Sequence, residues 1–152
     1  MADGAIVVGF DSTIGSHAGL LAAIDLARAT GRELEVVYVE HTDPIVTAST
    51  ALGPGAGAVI AAEQARAEVC RSNCADICNA AGVAWTFDVR HGNPADQLIE
   101  AANQVNATYI VVGRHGHHGL TRLLAGSVSQ RLLHHAKHPL LVVPPPSWPP
   151  EN

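Results

Sequence analysis

Five short apolar segments, separated by stretches with helical periodicity, constrain the fold of this chain more than any other feature. The segments are rich in Val, Leu and Ile and end at glycines, polar residues or prolines, which is typical of strands buried in a sheet. With aromatic residues at 4%, the composition favours short parallel strands packed between Ala-rich helices. We expect the strands over residues 5–9, 34–39, 83–89, 109–113 and 140–143.

Helical patterns fill the intervals between these segments. Ser16 is a candidate N-cap for the first helix, and the Asn93-Pro94 pair is typical of a helix start because proline suits the first helical position. Gly31 and Gly82 are typical of helix ends, where the backbone turns left-handed. We therefore expect helices over residues 16–30, about 58–81, from 94 onward, and from 126 onward.

Strict alternation of strands and helices predicts a single α/β domain. Right-handed crossovers then give a five-stranded parallel sheet with helices on both faces. The third strand alternates apolar and polar residues, as a half-exposed edge strand does, whereas the first and fourth are apolar throughout. We predict a doubly wound sheet of strand order 3-2-1-4-5 over residues 1–144, followed by a Pro-rich tail over residues 145–152.

Charge and hydropathy exclude several classes of partner. The net charge is −5, and the basic residues form no run, which argues against nucleic acid and anionic membranes. We find no signal-peptide pattern and no apolar stretch of membrane-spanning length. The three cysteines are odd in number and share one predicted helix, so we expect reduced thiols and a cytoplasmic location.

The predicted strand order places a ligand cleft between the first and fourth strands. A doubly wound sheet binds ligands at the carboxyl ends that flank its switch point. Gly113 and Gly116 follow the fourth strand, where glycine lets backbone N–H groups approach phosphate oxygens. Asp11 follows the first strand and is suited to accept hydrogen bonds from ribose hydroxyls. We therefore expect a nucleotide in this cleft.

The start of the fourth helix extends the same hypothesis. Ser127 and Gln130 have the spacing of a capping box, which predicts Ser127 as the N-cap. The N–H groups of Val128 and Ser129 would then point out of a helix N-terminus that favours an anion. The hydroxyls of Ser127 and Ser129 are candidate donors to the same phosphates.

The glycine spacing is specific. Gly113, Gly116 and Gly126-Ser127 form the pattern G-x2-G-x9-G-S. This pattern resembles the motif of the nucleotide-binding branch of the universal stress protein family. The segments "IVVGFDSTIGSHAGLLAAIDLA", "HGNPADQLIEAA" and "GSVSQRLLHHAKHPLLVVP" also resemble that family, so the similarity covers nearly the whole chain.

The resemblance implies an ATP-binding regulator of the stress response, commonly with Mg²⁺ or Mn²⁺. It implies adenine bound to backbone near Val39, ribose contacts by Asp11 and Gly113, and phosphates held after the fourth strand. It also implies a homodimer through the apolar fifth strand, formed by Leu140, Leu141, Val142 and Val143, whose edge must otherwise be covered. The expected binding set is Gly9, Phe10, Asp11, Ser12, Val39, Val112, Gly113, Arg114, Gly116, Gly126, Ser127, Val128 and Ser129.

Other nucleotide chemistries fit less well. A P-loop needs a G-K-[ST] sequence, and the single lysine of the chain, Lys137, lies elsewhere. The adenylation signatures of related sheets are absent from the first loop. We expect no catalytic residues, and at most slow hydrolysis or autophosphorylation with Ser127 or Ser129 as acceptor. Two alternatives stay open: a sensor of cyclic AMP or AMP, and an interaction module independent of nucleotide.

Several residues admit two interpretations. The histidines after the fourth strand either bind a transition metal or form a solvated loop, and the two arginines beside them either neutralise phosphate or are exposed. The cysteines are expected to be small buried residues packed on the sheet. Trp148 packs on a partner subunit or lies in a frayed tail. The loop over residues 42–57 contains no sequence motif that indicates a function. The histidines are His115, His117 and His118, the arginines are Arg114 and Arg122, and the cysteines are Cys70, Cys74 and Cys78.

Overall fold

The computed structural model describes residues 3–40, 53, 55–114 and 126–146. Helices and strands alternate over these residues as the apolar segments predict. The strands are β1 (Ile6–Gly9), β2 (Leu34–Glu40), β3 (Trp85–His91), β4 (Tyr109–Gly113) and β5 (Leu140–Val143). The helices are α1 (Ile14–Thr30), α2 (Ala56–Ala81), α3 (Pro94–Gln104) and α4 (Gly126–His135).

The strands form one parallel sheet in the order β3-β2-β1-β4-β5, which confirms the predicted topology. In the central register, Ile6 lies between Leu34 of β2 and Tyr109 of β4. Each strand joins the next through a helix, so all carboxyl ends lie at the same edge of the sheet. The chain order reverses between β1 and β4, so the switch point of the sheet lies where these two strands end at that edge.

Two apolar layers cover the sheet. On one face, α1 and α2 pack on side chains such as Ile6, Val36 and Val111. On the other face, α3 and α4 pack on side chains such as Val7 and Ile110. Burial on both faces explains why β1 and β4 are apolar at successive positions. The two helix layers leave β1 and β4 in the middle of the domain, away from solvent.

The three cysteines of α2 lie inside the first of these layers. Cys70, Cys74 and Cys78 are at most 2% exposed and are free thiols. The Cys74 and Cys78 sulfurs are 3.7 Å apart, one helical turn along the same face. The prediction of small buried residues packed on the sheet is confirmed.

The start of α1 differs from the prediction. Thr13, not Ser16, is the N-cap, and its Oγ1 accepts a hydrogen bond from the Ser16 N–H at 3.3 Å. Ser16 is buried, and its hydroxyl donates to the Thr13 carbonyl at 3.0 Å and accepts from the Asp11 N–H at 3.2 Å. The Ser16 hydroxyl therefore stabilises the preceding loop, while the earlier hydroxyl residue caps the helix.

The other predicted helix ends are confirmed. Gly31 and Gly82 adopt left-handed φ values of 68° and 69° at the ends of α1 and α2. Asn93 is the N-cap of α3, and its Oδ1 accepts from the Asp96 N–H at 3.2 Å, with Pro94 at the first helical position.

Replacing this N-cap should destabilise the protein measurably. Asn93→Ala leaves the first N–H groups of α3 without their side-chain acceptor, so we expect the free energy of unfolding to fall by about 1 kcal/mol. Asn93→Asp keeps an acceptor and should leave stability nearly unchanged. Urea denaturation monitored by circular dichroism measures both variants, and equal stability of Asn93→Ala and the wild type would contradict this role.

Candidate functional site

The loops after β1 and β4 begin side by side at the carboxyl edge of the sheet. Val8 and Val111 are paired in the register, so β1 ends opposite Val112 and β4 runs one residue farther. The chain then leaves β1 towards α1 on one face and leaves β4 towards α4 on the opposite face. The switch-point rule places a ligand above the ends of these two strands, and we call this position the cleft.

A group of the predicted site residues lies at this edge. Phe10 and Val112 are buried beneath the cleft, and Asp11 is exposed above it. Val39 lies near the end of the neighbouring strand β2, opposite Arg90 of β3. The structure thus brings together the predicted residues that it describes on β1, β2 and β4: Gly9, Phe10, Asp11, Ser12, Val39, Val112, Gly113 and Arg114.

Thr13 orients the carboxylate of Asp11. The Asp11 Oδ1 accepts hydrogen bonds from the Thr13 N–H at 3.1 Å and from the Thr13 hydroxyl at 2.6 Å. The backbone N–H of Asp11 donates to Ser16 Oγ. These bonds tie the acidic group to the N-cap of α1, so its position at the sheet edge is set before any ligand arrives.

Ser12 adopts a backbone conformation that the sequence did not reveal. Its φ is 65°, in the left-handed region that residues with a Cβ rarely occupy. The Ser12 hydroxyl contacts two side chains of α2: it accepts from Asn73 Nδ2 at 3.1 Å and donates to Cys70 Sγ at 3.3 Å. The loop after β1 is therefore connected to α2 as well as to α1.

Gly113 is required for packing, a reason that the sequence analysis did not give. A Cβ at this position would lie 1.8 Å from the Gly15 carbonyl oxygen, because the backbone of α1 rests directly on the end of β4. Gly19 belongs to the same contact, since a Cβ there would lie 2.8 Å from the Gly113 nitrogen. Glycine at position 113 therefore allows α1 and the Asp11 loop to approach β4.

The fourth helix begins at Gly126, where the sequence predicts its start. It includes Gly126, so Ser127 lies within the first turn and the prediction of Ser127 as N-cap is wrong. The first four N–H groups of a helix lack partners within it. Among the described residues of α4 these belong to residues 126–128, so the Val128 N–H remains a candidate donor, whereas the Ser129 N–H lies at the fourth helical position.

An ion pair joins the middle of α4 to the start of α3. Arg131 donates from Nε and Nη2 to the two carboxylate oxygens of Asp96, at 2.7 and 3.0 Å. These hydrogen bonds raise the pKa of Arg131. The two donors belong to one planar guanidinium group, so the pair is bidentate. This half-exposed pair connects the middle of α4 to the first turn of α3, and sequence analysis did not single it out.

A second polar pair lies farther along the same edge. His91 Nδ1 is 3.0 Å from Glu40 Oε2, at the ends of β3 and β2. Glu40 is 7% exposed, whereas His91 is largely exposed. Both side chains line a cavity of about 390 Å³ beneath α2, apart from the ends of β1 and β4. Sequence analysis missed this pair because each residue closes an otherwise ordinary strand.

Several predictions fall outside the described residues: Gly116, His115, His117, His118, Arg122, Trp148 and most of the loop over residues 42–57. Arg114 is described, with an exposed side chain and a backbone N–H that donates to the Val143 carbonyl at 2.7 Å. Within the described ranges, no three His, Cys, Asp or Glu side chains gather as metal ligands. None of the described helices has the length and apolar character needed to cross a bilayer.

Comparison with known proteins defines the family. The family model described as the universal stress protein family matches residues 4–144. The chain is 28% identical over 159 residues to the stress response protein NhaX of Bacillus subtilis, covering 91% of this chain and 96% of that protein. It is 31% identical over 124 residues to universal stress protein A homolog 1 of Coxiella burnetii, covering 80% and 82%.

A solved structure agrees with these relatives. The chain resembles a universal stress protein solved in complex with cAMP, with a TM-score of 0.69 and 26% identity over 96% of this chain and 100% of that one. The protein therefore belongs to the universal stress protein family.

The contact between Gly113 and α1 predicts a large loss of stability on substitution. Gly113→Ala forces the α1 backbone away from β4, and we expect the free energy of unfolding to fall by about 3 kcal/mol. Gly57→Ala is the matched control, because position 57 is helical and no atom lies within 4 Å of the added Cβ. Helix propensity should make the control about 0.5–1 kcal/mol more stable. Chemical denaturation without nucleotide measures both, and equal effects of the two substitutions would contradict the packing argument.

Proposed function

We propose that this protein binds an adenine nucleotide in the cleft above β1 and β4, with ATP and Mg²⁺ or Mn²⁺ as the preferred ligand. The observation that carries the proposal is the carboxylate of Asp11, which Thr13 holds at the switch point of the sheet. A carboxylate is suited to ribose hydroxyls, and the opposite wall of the cleft leads to the N-terminus of α4.

Each part of the nucleotide has a candidate partner. The adenine would bind backbone groups near Val39, and the ribose would bind Asp11 and Gly113. The triphosphate would bind the N–H groups of Gly116 and of the first turn of α4, where the helix dipole favours negative charge. Ser127 and Ser129 would add hydroxyl donors and are the candidate acceptors of a slow autophosphorylation.

The metal fits this arrangement as part of the ligand. Mg²⁺ usually keeps several waters and binds phosphate oxygens together with few protein groups. Because the described residues hold no three-ligand cluster, we propose that phosphate oxygens and water supply most of the coordination. The metal would neutralise triphosphate charge, and the chain would contribute orientation through its backbone N–H groups.

We propose a regulatory role in the stress response rather than efficient catalysis, within the cytoplasm. The three cysteines support that location, because all are free thiols buried in the core. Binding would change the state of the two loops that form the cleft, and a partner protein would read that state. Any hydrolysis would be slow.

A second candidate ligand is cyclic AMP. The relative solved in complex with cAMP, at 26% identity over nearly the whole chain, favours this alternative. A cyclic nucleotide carries one charge and needs neither a metal nor the whole N-terminus of α4. Metal dependence therefore distinguishes the two ligands.

Calorimetric titration tests the proposal. Nucleotide-free protein is titrated with ATP, ADP, AMP and cyclic AMP, each with and without Mg²⁺. We expect ATP to bind most tightly with metal, and Asp11→Asn to weaken it about 10- to 100-fold because hydrogen bonds to a charged group are lost. The amide oxygen of the variant can still accept both Thr13 bonds, so the loop should keep its fold.

Asp25→Asn is the control, since Asp25 is exposed on α1 and remote from the cleft. Tightest binding of cyclic AMP without metal would assign the sensor role instead. If none of the four titrations shows heat of binding, nucleotide binding is rejected and an interaction module is favoured.

We further propose a homodimer through β5. In the described part of the chain, β5 pairs with β4 alone, and Leu141 at this edge is 38% exposed. An apolar edge strand is prone to pair with another strand, and a twofold axis brings identical strands together. Residues 140–143 would then pair with the same residues of a second copy.

Charge at this edge should weaken the dimer. Leu141→Arg places like charges near each other across the twofold axis, and we expect the dimer dissociation constant to rise at least about tenfold. Leu133→Arg changes a leucine that is 67% exposed on α4 and serves as the control. Sedimentation equilibrium measures both, and an unchanged dissociation constant for Leu141→Arg would place the interface elsewhere.

A further inference from the structure

The conformation of Ser12 requires support from outside its own loop. Among the described residues other than glycine, only Ser12 and Asn106 have positive φ. Asparagine tolerates this region, whereas a serine there is strained by its Cβ. Such a conformation persists only where surrounding contacts impose it. Ser12 directly follows Asp11, so whatever fixes Ser12 also sets the backbone that carries the Asp11 carboxylate.

Three hydrogen bonds supply that support, and their directions are mutually consistent. Asn73 Nδ2 donates to the Ser12 hydroxyl at 3.1 Å, which donates to Cys70 Sγ at 3.3 Å. The Cys70 thiol in turn donates to the Phe10 carbonyl at 3.6 Å. The series contacts the loop after β1 at Ser12 and at Phe10, one residue on either side of Asp11. We call Asn73, Ser12, Cys70 and Phe10 the α2 relay.

The relay depends on a protonated thiol at Cys70. Cys70 is 2% exposed. Burial raises the pKa of its thiol, the hydrogen bond from Ser12 lowers it, and the charge of Asp11 raises it, with a net increase. The group is therefore a neutral S–H at physiological pH and can donate to the Phe10 carbonyl. A thiolate at this position would have no proton for that bond.

We propose that Asn73, through the α2 relay, is a positioning residue for Asp11 and determines how strongly the protein discriminates ribose from a sugar without hydroxyls. The inference rests on the proposed nucleotide function and deepens it. Asn73 is half-buried on α2, separated from Ser12 by 61 positions in sequence, and acts through the Ser12 hydroxyl. Loss of its N–H donor frees Ser12 to leave the left-handed region, which moves the Asp11 carboxylate.

The test compares ATP with 2′,3′-dideoxy-ATP, which lacks both ribose hydroxyls. We expect the wild type to prefer ATP. In Asn73→Ala, the dissociation constant of ATP should rise about three- to tenfold, as for loss of one hydrogen bond. The constant for the dideoxy analogue should change by less than about twofold. A merely structural role would weaken both ligands equally.

Two further variants sharpen the comparison. Asn79→Ala, on the same helix, removes an asparagine whose Oδ1 accepts from Trp85 Nε1 at 2.9 Å, and it should leave the preference intact. Asn73→Gln keeps an amide donor and should restore part of the preference. Hydrogen exchange of residues 11–13 without nucleotide should accelerate in Asn73→Ala and not in Asn79→Ala.

The outcomes separate this inference from the proposed function. If the wild type prefers ATP to the dideoxy analogue and Asn73→Ala keeps the full preference, the inference is overturned. The proposal of nucleotide binding then stands. Equal affinity of the wild type for ATP and the dideoxy analogue also overturns it, because Asp11 would then not recognise ribose. Failure of the wild type to bind either ligand rejects the proposed function and the inference together.

Discussion

Direct contact between the backbone of α1 and the end of β4 is the constraint on which the candidate site depends. Gly113 leaves no room for a side chain against Gly15, and Gly19 faces the Gly113 nitrogen. This contact holds the first turn of α1 beside the end of β4. Since Asp11 is tied to that turn through Thr13 and Ser16, the same packing brings the carboxylate to the β4 edge of the cleft.

The two helix layers contribute different parts of the site. The layer of α1 and α2 fixes the loop after β1 through the N-cap of α1 and the α2 relay. In the layer of α3 and α4, the ion pair of Asp96 and Arg131 joins the two helices. A ligand in the cleft would contact both layers. A change in either layer can therefore alter binding without touching the ligand.

The sequence predicts the fold well because the topology follows from short-range patterns. Alternating segments and the half-exposed third strand are sufficient for the order 3-2-1-4-5. Helix ends are harder to place where two hydroxyl residues compete, as Thr13 and Ser16 do before α1. The choice depends on which hydroxyl the loop requires, and that is a property of the folded structure.

The candidate site is predicted only in part, because its supporting contacts join distant positions. Ser12 and Cys70 are 58 positions apart, and nothing in either segment indicates the hydrogen bond between them. The packing role of Gly113 likewise requires knowledge of where α1 lies. Sequence patterns locate the groups that face a ligand, while the three-dimensional structure identifies the side chains that hold them in place.

A crystal structure of the protein grown with ATP and Mg²⁺ tests the central claim most directly. The account predicts the ribose hydroxyls within hydrogen-bond distance of Asp11, adenine near Val39, and phosphates at the first turn of α4. A nucleotide bound elsewhere, such as the cavity beside Glu40 and His91, or a cleft without nucleotide at saturating ATP, would contradict it.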